Sequence, residues 1–386
     1  MSNNISVFAG HCCGCGACAI ICHKKAIEMK PNVQGFLYPT IREDLCVNCG
    51  LCTKSCSFQT ADPGTDSPLQ IFAAKHTDSK IRNASRSGGI FTAVSDWIFR
   101  RGGTVYGCKM ADCKTAVHSR ATTPEERNAF RGSKYIQSKT GDIYAQVVRD
   151  LKDGLWVLFT GTPCQVHALQ QFCRNLDTSK LLCIDIVCHS VPSPKVWSDY
   201  IDYQEAQSNS QIINVNFRDK HRFGWASHRE TFVFANGEIH SDTIFRKLFS
   251  SHYISRKSCF DCPYKSLHRV GDFTIADCWG ITDAYPDFDD NKGVSLVLVN
   301  TDLAKSIYSD LTELDTIEVD IQKLMQPCLK ENWSKPNDYN EFWKFYRRKS
   351  FAKVLDKYIY HRPTIRAKIV YCIRSTLARI YRKLLK

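Results

Sequence analysis

Two short cysteine runs near the N-terminus carry the most specific chemical signal in the sequence. They share the spacing C-x2-C-x2-C-x3-C and together supply eight thiols: Cys12, Cys15, Cys18 and Cys22, then Cys46, Cys49, Cys52 and Cys56. Three thiolates at intervals of three residues can wrap three corners of a [4Fe-4S] cubane, and the fourth ligand comes from elsewhere. Where two such runs occur, each completes the cluster of the other. The spacing therefore predicts two clusters: Cys12, Cys15, Cys18 and Cys56 for one, and Cys46, Cys49, Cys52 and Cys22 for the other.

Residues 10–58 resemble the bacterial two-[4Fe-4S] ferredoxins. Where a proline usually follows the fourth cysteine, this sequence has His23 and Ser57, a departure that removes no ligand. Zinc is the alternative occupant, but structural zinc sites are typically built from two C-x2–4-C pairs. The two longer runs therefore favour iron–sulfur clusters, and we expect the module to pass single electrons.

Four further cysteines lie on three separate segments of the chain. Cys164 in "GTPCQ" and Cys188 in "DIVCH" follow predicted strands, and "SCFDCPYK" contains Cys259 and Cys262. Together these residues could supply four thiolates to a third cubane, with Cys278 as a possible substitute ligand. Spacing alone does not establish this cluster, because the ligands come from distant parts of the sequence.

Cys164 has two other interpretations. As a nucleophile it would need a helix N-terminus and a nearby base to lower its pKa, and His167 and His189 are candidate bases. That hypothesis gives the N-terminal module no purpose. Alternatively, the thiol is a small apolar group that packs in a tight corner.

Two loops could receive a phosphate group, although the dinucleotide motif G-x-G-x-x-G is absent from the sequence. Each loop stands before a predicted helix, where backbone amides favour an anion. The candidate contacts are Ser85, Ser87, Gly88 and Gly89 in the first loop, and Thr160, Thr162 and Gln165 in the second. Arg131 and Lys134, in the segment between them, could supply positive charge. The alternatives are a simple helix N-cap and a solvated loop.

The elements that must position these residues follow from hydrophobic periodicity. Strands alternate with helices from residue 69 to 206, which predicts a largely parallel sheet, and the chain is β-rich from residue 211. We therefore expect an N-terminal ferredoxin-like module, an α/β and α+β body, and a C-terminal helical tail. The predicted boundaries are 1–59 for the module, 60–69 for a linker, 70–155 and 156–340 for the two parts of the body, and 341–386 for the tail.

Composition and charge restrict the class of protein. The chain has 20 cysteines and no evident signal peptide, which favours a reducing cytoplasm over a disulfide scaffold. Its net charge is +13, but residues 357–386 hold nine Lys or Arg and no acid, so the body is nearly neutral. This distribution argues against a nucleic-acid-binding core. The basic tail predicts an amphipathic helix that either lies on the inner face of an anionic membrane or docks on the body.

Six segments resemble, in the same order, the coenzyme F(420) hydrogenase/dehydrogenase beta-subunit family over about residues 70–335. They are "SRSGG", "RGSKYIQS", "VLFTGTPCQVHAL", "DIVCHSVPSPKVW", "VNFRDKHRFGW" and "SCFDCPYKSLHRVGDFTIADCWGI". The resemblance implies an iron–sulfur flavoprotein that carries FAD and a [4Fe-4S] cluster, often with a fused ferredoxin module. It favours Cys164, Cys188, Cys259 and Cys262 as ligands, and it favours the loops 85–89 and 131–138 as neighbours of the flavin.

The expected function is that of an oxidoreductase which passes electrons between ferredoxin-type clusters and a bound flavin. Its partner would be a small organic substrate or two-electron carrier, in a glycan-related pathway in some members of the family, or a redox protein of ferredoxin or flavoprotein type. The alternative is an electron-transfer subunit of a larger complex without its own substrate site. A thiol enzyme that uses Cys164 is a third hypothesis. The family fixes the cofactors better than the substrate.

Overall fold

The computed structural model of the protein describes residues 4–59 and 67–360. The predicted linker falls mostly outside this part, and the basic amphipathic helix predicted for residues 363–386 of the tail lies wholly outside it. Within the described residues the strands are β1 Ile27–Pro31, β2 Leu37–Ile41, β3 Gln70–His76, β4 Thr104–Met110, β5 Ala116–Ala121, β6 Val157–Gly161, β7 Leu181–Ile186, β8 Ile212–Asn216, β9 Glu230–Phe234, β10 Ile239–Asp242, β11 Phe273–Asp277, β12 Ser295–Val299 and β13 Leu314–Glu318.

Helices connect most of these strands. In the described residues they are α1 Ala17–Ile21, α2 Leu51–Lys54, α3 Ser79–Ala84, α4 Ile90–Phe99, α5 Pro124–Asn128, α6 Ile143–Lys152, α7 Pro163–Cys173, α8 Pro194–Ser208, α9 Lys220–Phe223, α10 Ile244–Ser250, α11 Ile281–Ala284, α12 Asp302–Ser309, α13 Tyr339–Tyr346 and α14 Phe351–Tyr358. Short 3-10 turns include residues Ile5–His11 and Lys257–Asp261.

The N-terminal module is built around its two cysteine runs. Strands β1 and β2 form an antiparallel hairpin, and helices α1 and α2 each begin within one run. Gly16 and Gly50 precede these helices with φ values of 82° and 73°, in the left-handed region that favours glycine. These glycines let the chain turn sharply enough for the thiols on each side to face inward.

The body is organised around one eight-stranded mixed sheet in the order β13-β3-β12-β11-β7-β6-β4-β5. The central strands β11, β7, β6 and β4 are parallel, whereas the pairs on both flanks are antiparallel. The predicted α/β body is confirmed, but the largely parallel sheet is only partly right, because β12 runs opposite to both of its neighbours. Strands from both sides of residue 155 share this sheet, since β4 pairs with β6.

Alternate residues of the central strands fill two separate cores. Leu158 on β6 faces the apolar side of α4 and α12, whereas its neighbours Val157 and Phe159 face α6 and α7. This alternation follows from the two-residue period of a strand that is buried on both faces. A third core joins α8, α10, α13 and α14 to the small antiparallel sheet β10-β9-β8. An Asn-Gly turn, Asn236–Gly237, joins β9 and β10, with Gly237 at a φ of 86°.

The parallel strands bring the candidate ligands to one edge of the large sheet. Strand β6 ends at Gly161, just before Cys164, and β7 ends at Ile186, just before Cys188. Strand β11 ends at Asp277 on the same edge. Ligand sites of α/β proteins commonly lie outside the carboxyl ends of such strands. This edge of the sheet is therefore the main candidate position for a functional site in the body.

Candidate functional site

The eight N-terminal cysteines line two cavities of the module. One cavity is lined by Cys12, Cys15, Cys18 and Cys56, together with Cys13. The other is lined by Cys22, Cys46, Cys49 and Cys52. Each cavity thus receives three thiols from one run and the last thiol of the other run. The structure therefore groups the cysteines as the spacing predicts, while their ligation of iron stays a prediction.

The surroundings of these thiols suit bound cations. Backbone amides of Gly14 and Ala26 donate to the Cys12 and Cys22 sulfurs, each at 3.3 Å. Burial raises the pKa of Cys18 and of Cys52, so thiolates there need a positive partner, which iron provides. Among the described residues no three His, Cys, Asp or Glu side chains converge closely enough to hold a single metal ion; the thiols line cavity walls instead.

A third group of thiols lies at the edge of the large sheet. Cys164 is in the first turn of α7, Cys188 follows β7, and Cys259 and Cys262 lie in and just after the 3-10 turn 257–261. Their thiols are close enough to interact electrostatically with one another. Burial raises the pKa of Cys259 to about 11 and that of Cys262 to about 12. These four thiols are half-buried, and their thiolate forms would repel one another, so ionised ligands here again need a cation between them.

The surroundings of Cys164 do not resemble those of a nucleophile. A hydrogen bond with Cys13 and burial raise its pKa well above the ordinary value, whereas a reactive cysteine needs a lowered one. His167 Nδ1 instead contacts the Tyr264 hydroxyl at 3.0 Å, and the His189 ring stacks on that of His252. Neither candidate base is paired with Cys164 among the described contacts.

Cys278, the possible substitute ligand, lies apart from the other four thiols. It is fully buried in an apolar cluster with Trp225, Ile281 and Val294, and the charges that raise its pKa, after burial itself, are those of Asp277 and Asp289. The structure therefore supports a packing role for this residue.

Cys13 connects the first N-terminal cavity to the third thiol group. Its thiol is hydrogen-bonded to both Cys15 and Cys164. Tyr264, which is 5% exposed, lies against the same residues, and its ring contacts Phe58 with centroids 6.1 Å apart. The sequence alone predicts that Cys13, between two ligands, is a packing residue or a spare thiol; its contact with Cys164 depends on tertiary packing.

Arg256 fastens the module to the body. Its side chain is 1% exposed and donates to the Cys12 carbonyl at 2.8 Å and to the Leu37 carbonyl at 2.9 Å. Thr140 and Tyr144 donate to the Cys15 carbonyl at 2.9 and 3.1 Å. The first cysteine run is therefore held by side chains of the body at the point where it approaches the third thiol group.

The first predicted phosphate loop is occupied by internal hydrogen bonds. The Ser85 hydroxyl donates to the Ile81 carbonyl at 2.8 Å, and the Ser87 hydroxyl donates to the Val294 carbonyl at 2.5 Å. A Cβ at Gly88 would lie 2.1 Å from the Ala74 carbonyl oxygen, so this glycine allows close packing on β3. Gly89, with a φ of 99°, is the N-cap residue of α4.

The other predicted flavin neighbours are also engaged within the protein. Lys134 donates to the carbonyls of Ala129 and Arg131 at 2.9 and 2.8 Å, and burial lowers its pKa to about 8. Further bonds join Arg131 to Thr92, Thr160 to the Tyr106 carbonyl, Thr162 to Gln165, and Gln165 to Ser138. The loops 131–138 and 160–165 therefore meet, but a flavin contact by these side chains stays a prediction.

A group of basic residues near Asp277 was not predicted from the sequence. Arg86 and Arg218 lie beside this carboxylate, with Arg218 Nη1 at 2.7 Å and Arg86 Nε at 3.6 Å from Oδ2. Lys220 lies close to them. The segments "SRSGG" and "VNFRDKHRFGW" contain all three basic residues, but nothing in the spacing shows that they meet at the end of β11.

Comparisons with known proteins follow the same division of the chain. Residues 11–60 match the family described as "4Fe-4S dicluster domain". Residues 155–323 match the C-terminal part of the family described as "Coenzyme F420 hydrogenase/dehydrogenase, beta subunit". The resemblance over residues 70–154 stays a prediction. A search of curated proteins finds no match.

Among solved structures, the chain is similar to one from the F420-reducing [NiFe] hydrogenase complex of Methanosarcina barkeri. The two are 18% identical with a TM-score of 0.49, and the alignment covers 69% of this chain and 87% of that one. No helix in the described residues is long and apolar enough to cross a membrane. The chain thus combines a 4Fe-4S dicluster domain with a region similar to the C-terminal part of the coenzyme F420 hydrogenase/dehydrogenase beta subunit, which relates it to iron–sulfur electron-transfer proteins.

Proposed function

We propose that the protein holds a third [4Fe-4S] cluster and FAD in addition to its two N-terminal clusters, and that it exchanges electrons with a small organic substrate or two-electron carrier. One observation carries this proposal: Cys164, Cys188, Cys259 and Cys262 come together beside the first cysteine run, with Cys13 between them. Bound clusters supply single-electron transfer, and a flavin couples it to two-electron chemistry.

The residues between the thiol groups keep this region dry and fixed. Tyr264 and Arg256 are buried between the first run and the third group. Burial raises the pKa of Tyr264, so its hydroxyl stays neutral and contacts His167. The Cys13 thiol bonds to one residue of each group. Together these side chains hold the two sets of ligands in contact and exclude solvent from the space between them.

Unsatisfied ring nitrogens beside Cys188 support a place for the flavin. His189 Nε2, His252 Nδ1 and Trp333 Nε1 are shielded from solvent and have no hydrogen-bond partner in the described part of the chain. The three rings lie against one another, with centroids 4.8 to 5.0 Å apart. Buried nitrogens without partners are costly, and a planar heteroaromatic ring with nitrogen and oxygen atoms could satisfy them. These three ring nitrogens are therefore better candidates for flavin contacts than the loop side chains predicted from the sequence, which bond within the protein.

Iron and flavin content test the proposal directly. We expect full-length protein purified without oxygen to hold about twelve irons, three cubanes' worth, and to release FAD on denaturation. Cys164→Ser should lose roughly four of these irons, whereas Cys278→Ser, which changes a buried thiol outside the group, should lose none. A nucleophilic Cys164 predicts the opposite for the first variant: full iron content and no activity. About eight irons in the wild-type protein would refute the third cluster.

An electron-transfer subunit without its own substrate site is the second candidate function. It is favoured by the exposed surface beside the second N-terminal cavity, where Cys49 is exposed and Val47 and Leu45 are 58% and 36% exposed. Such a surface could receive a redox protein of ferredoxin or flavoprotein type. Protein with its full iron content but no flavin, purified in a stable complex with a large partner, would favour this candidate. A glycan-related substrate and a cytoplasmic location rest on the family resemblance and on composition alone.

A further inference from the structure

The side chains around Asp277, the last residue of β11, include more positive than negative charges. Among the residues that the structure describes, four buried or half-buried basic side chains, those of Arg82, Arg86, Arg218 and Lys220, face two carboxylates, Asp277 and Asp290. Arg82 forms a two-pronged ion pair with Asp290. Asp277 is shared by Arg218 and Arg86. Arg86 and Lys220 therefore lack a carboxylate of their own.

Three guanidinium nitrogens in this group have no hydrogen-bond partner. They are Nη1 of Arg86, Nε of Arg218 and Nε of Arg86, all shielded from solvent and without a hydrogen bond within residues 4–59 and 67–360; the last of them lies 3.6 Å from Asp277 Oδ2, too far for a hydrogen bond. Arg218 is 9% exposed, and Arg86 is anchored by Nη2, which donates to the Trp225 carbonyl at 2.9 Å. Charged donors are strongly disfavoured inside a protein unless an acceptor meets them. Side chains held this firmly with donors left unused indicate a ligand that the protein itself does not supply.

Lys220 adds a positive charge to this group, and its hydrogen bonds are to neutral carbonyls rather than to a carboxylate. Its ammonium donates to the carbonyls of Arg82 and Lys292 at 2.6 and 3.0 Å, which are neutral acceptors. Burial, and then the charges of Arg86 and Arg82, lower its pKa to about 8. The group as a whole therefore carries an excess of two positive charges at neutral pH.

Two tryptophans form an apolar wall next to the basic group. Trp225 donates to the other oxygen of Asp277 at 3.0 Å and stacks on Trp279, with centroids 5.0 Å apart and planes 10° apart. The guanidinium of Arg218 lies 5.1 Å from the Trp279 ring centroid. Trp279 is 38% exposed, so a ligand can reach it from solvent.

We infer that Arg86, Arg218 and Lys220 form a subsite for the phosphate group of an organic ligand, whose carbon skeleton lies against Trp279. Phosphate oxygens would accept from the unused nitrogens, and either a phosphate monoester or the diphosphate of FAD, each with close to two negative charges, would balance the excess. A single carboxylate would balance only half of it. The inference rests on the proposed function, in which the ligand is either the flavin itself or the two-electron substrate.

Calorimetric titration of full-length, iron-loaded protein with inorganic phosphate tests this subsite, with acetate as the carboxylate comparison. The titration is done on protein as purified and again after removal of any flavin. We expect phosphate to bind more tightly than acetate, and Arg86→Gln and Arg218→Gln to weaken phosphate binding by roughly tenfold or more. Arg120→Gln, which removes an arginine paired with Asp150, should leave phosphate binding unchanged. Arg86→Lys, which keeps the charge, should retain part of the affinity.

The two sources of the phosphate give different results. If the flavin supplies it, Arg86→Gln protein will contain less FAD, and the wild type will bind inorganic phosphate only after flavin removal. If the substrate supplies it, FAD content will be unchanged and flavin-loaded protein will bind phosphate. The subsite is refuted if acetate binds as well as phosphate, or if the arginine variants with normal iron content change neither phosphate affinity nor FAD content. Failure of the flavin proposal alone would still leave phosphate binding measurable.

Discussion

At the scale of single residues, Arg256 has the most distinctive electrostatic position. Its guanidinium is buried, yet no carboxylate pairs with it in the part of the chain that the structure describes. Its charge acts instead on Cys164 and Cys259, and it bonds to the carbonyl of Cys12. A buried cation is normally paired, so the thiolate charge of two ligand sets is its natural partner.

We therefore predict that Arg256→Gln makes two of the three centres harder to reduce. Removing a buried positive charge near a centre disfavours an added electron by roughly 2 kcal/mol at an effective dielectric constant of about 20. A redox titration followed by electron-spin resonance should show lower midpoint potentials for the Cys12/15/18/56 centre and the Cys164/188/259/262 centre. The Cys22/46/49/52 centre should not change.

Two variants separate charge from packing in that experiment. Arg256→Lys keeps the charge but loses the forked hydrogen bonds, so its potentials should stay near those of the wild type. Arg127→Gln removes a buried arginine that pairs with Asp96 and should alter no potential. Equal shifts in all three centres, or in the lysine variant as much as in the glutamine variant, would show that the effect is structural.

The role of a residue could be predicted from the sequence wherever that role depends on a short spacing between residues. The eight N-terminal thiols fall into the two predicted groups because each run is local and its loop is short. Arg86, Arg218 and Cys13 could not be found in this way, because their partners are distant in sequence. The side chains predicted as flavin contacts, such as Ser87 and Lys134, could donate to a phosphate. In the structure they donate to backbone carbonyls of the protein instead.

At the scale of elements, the start of α7 determines where Cys164 points. Thr162 is the N-cap, its amide donates to Gln165 Oε1 at 3.0 Å, and Pro163 opens the first turn. The Thr162 hydroxyl is also 3.2 Å from the Cys164 sulfur. This capping box fixes the turn between β6 and α7 and therefore the direction of the thiol.

We predict that Thr162→Ala lowers the free energy of unfolding by about 1 kcal/mol, the usual cost of losing an N-cap side chain. Thr162→Ser keeps the hydroxyl and should remain close to the wild type. Iron content should stay the same in both variants, because neither changes a thiol. Thermal unfolding of the two variants measures the effect, and a Thr162→Ala protein as stable as the wild type would show that the cap contributes little.

The elements predicted from sequence are those with strong periodicity. Buried runs predict strands at 104–110, 156–161 and 181–189, and apolar faces predict helices at 142–152 and 194–206. The strands β4, β6 and β7 and the helices α6 and α8 lie within a few residues of these positions. Strand β5 was not predicted, since "AVHSRA" mixes polar residues into an edge strand. The antiparallel direction of β12 depends on the path of residues 278–294, which local pattern does not reveal.

At the scale of the whole molecule, the module and the body differ in how they are stabilised. The body has four apolar cores of substantial size. The core of the module consists of Ile5, Cys18, Ile27 and Cys52, with a few partly buried neighbours. Half of that core is thiol, and so small an apolar core is marginal without another source of stability. Metal ligation is the usual source in such domains.

We predict that stripping iron with a chelator under anaerobic conditions unfolds the module before the body. The cysteines would then lose the cations that hold them together, and residues 4–59 would keep their contacts with the body, such as those of Arg256, Thr140 and Ser193. Hydrogen exchange should rise throughout β1, β2 and α1, while β4 and β6 in the large sheet keep their protection and serve as the internal control. The segment 257–262 should also exchange faster, because it supplies two thiols of the third group. Undiminished protection of β1 and β2 after iron removal would mean that docking on the body, rather than metal ligation, holds the module in its folded state.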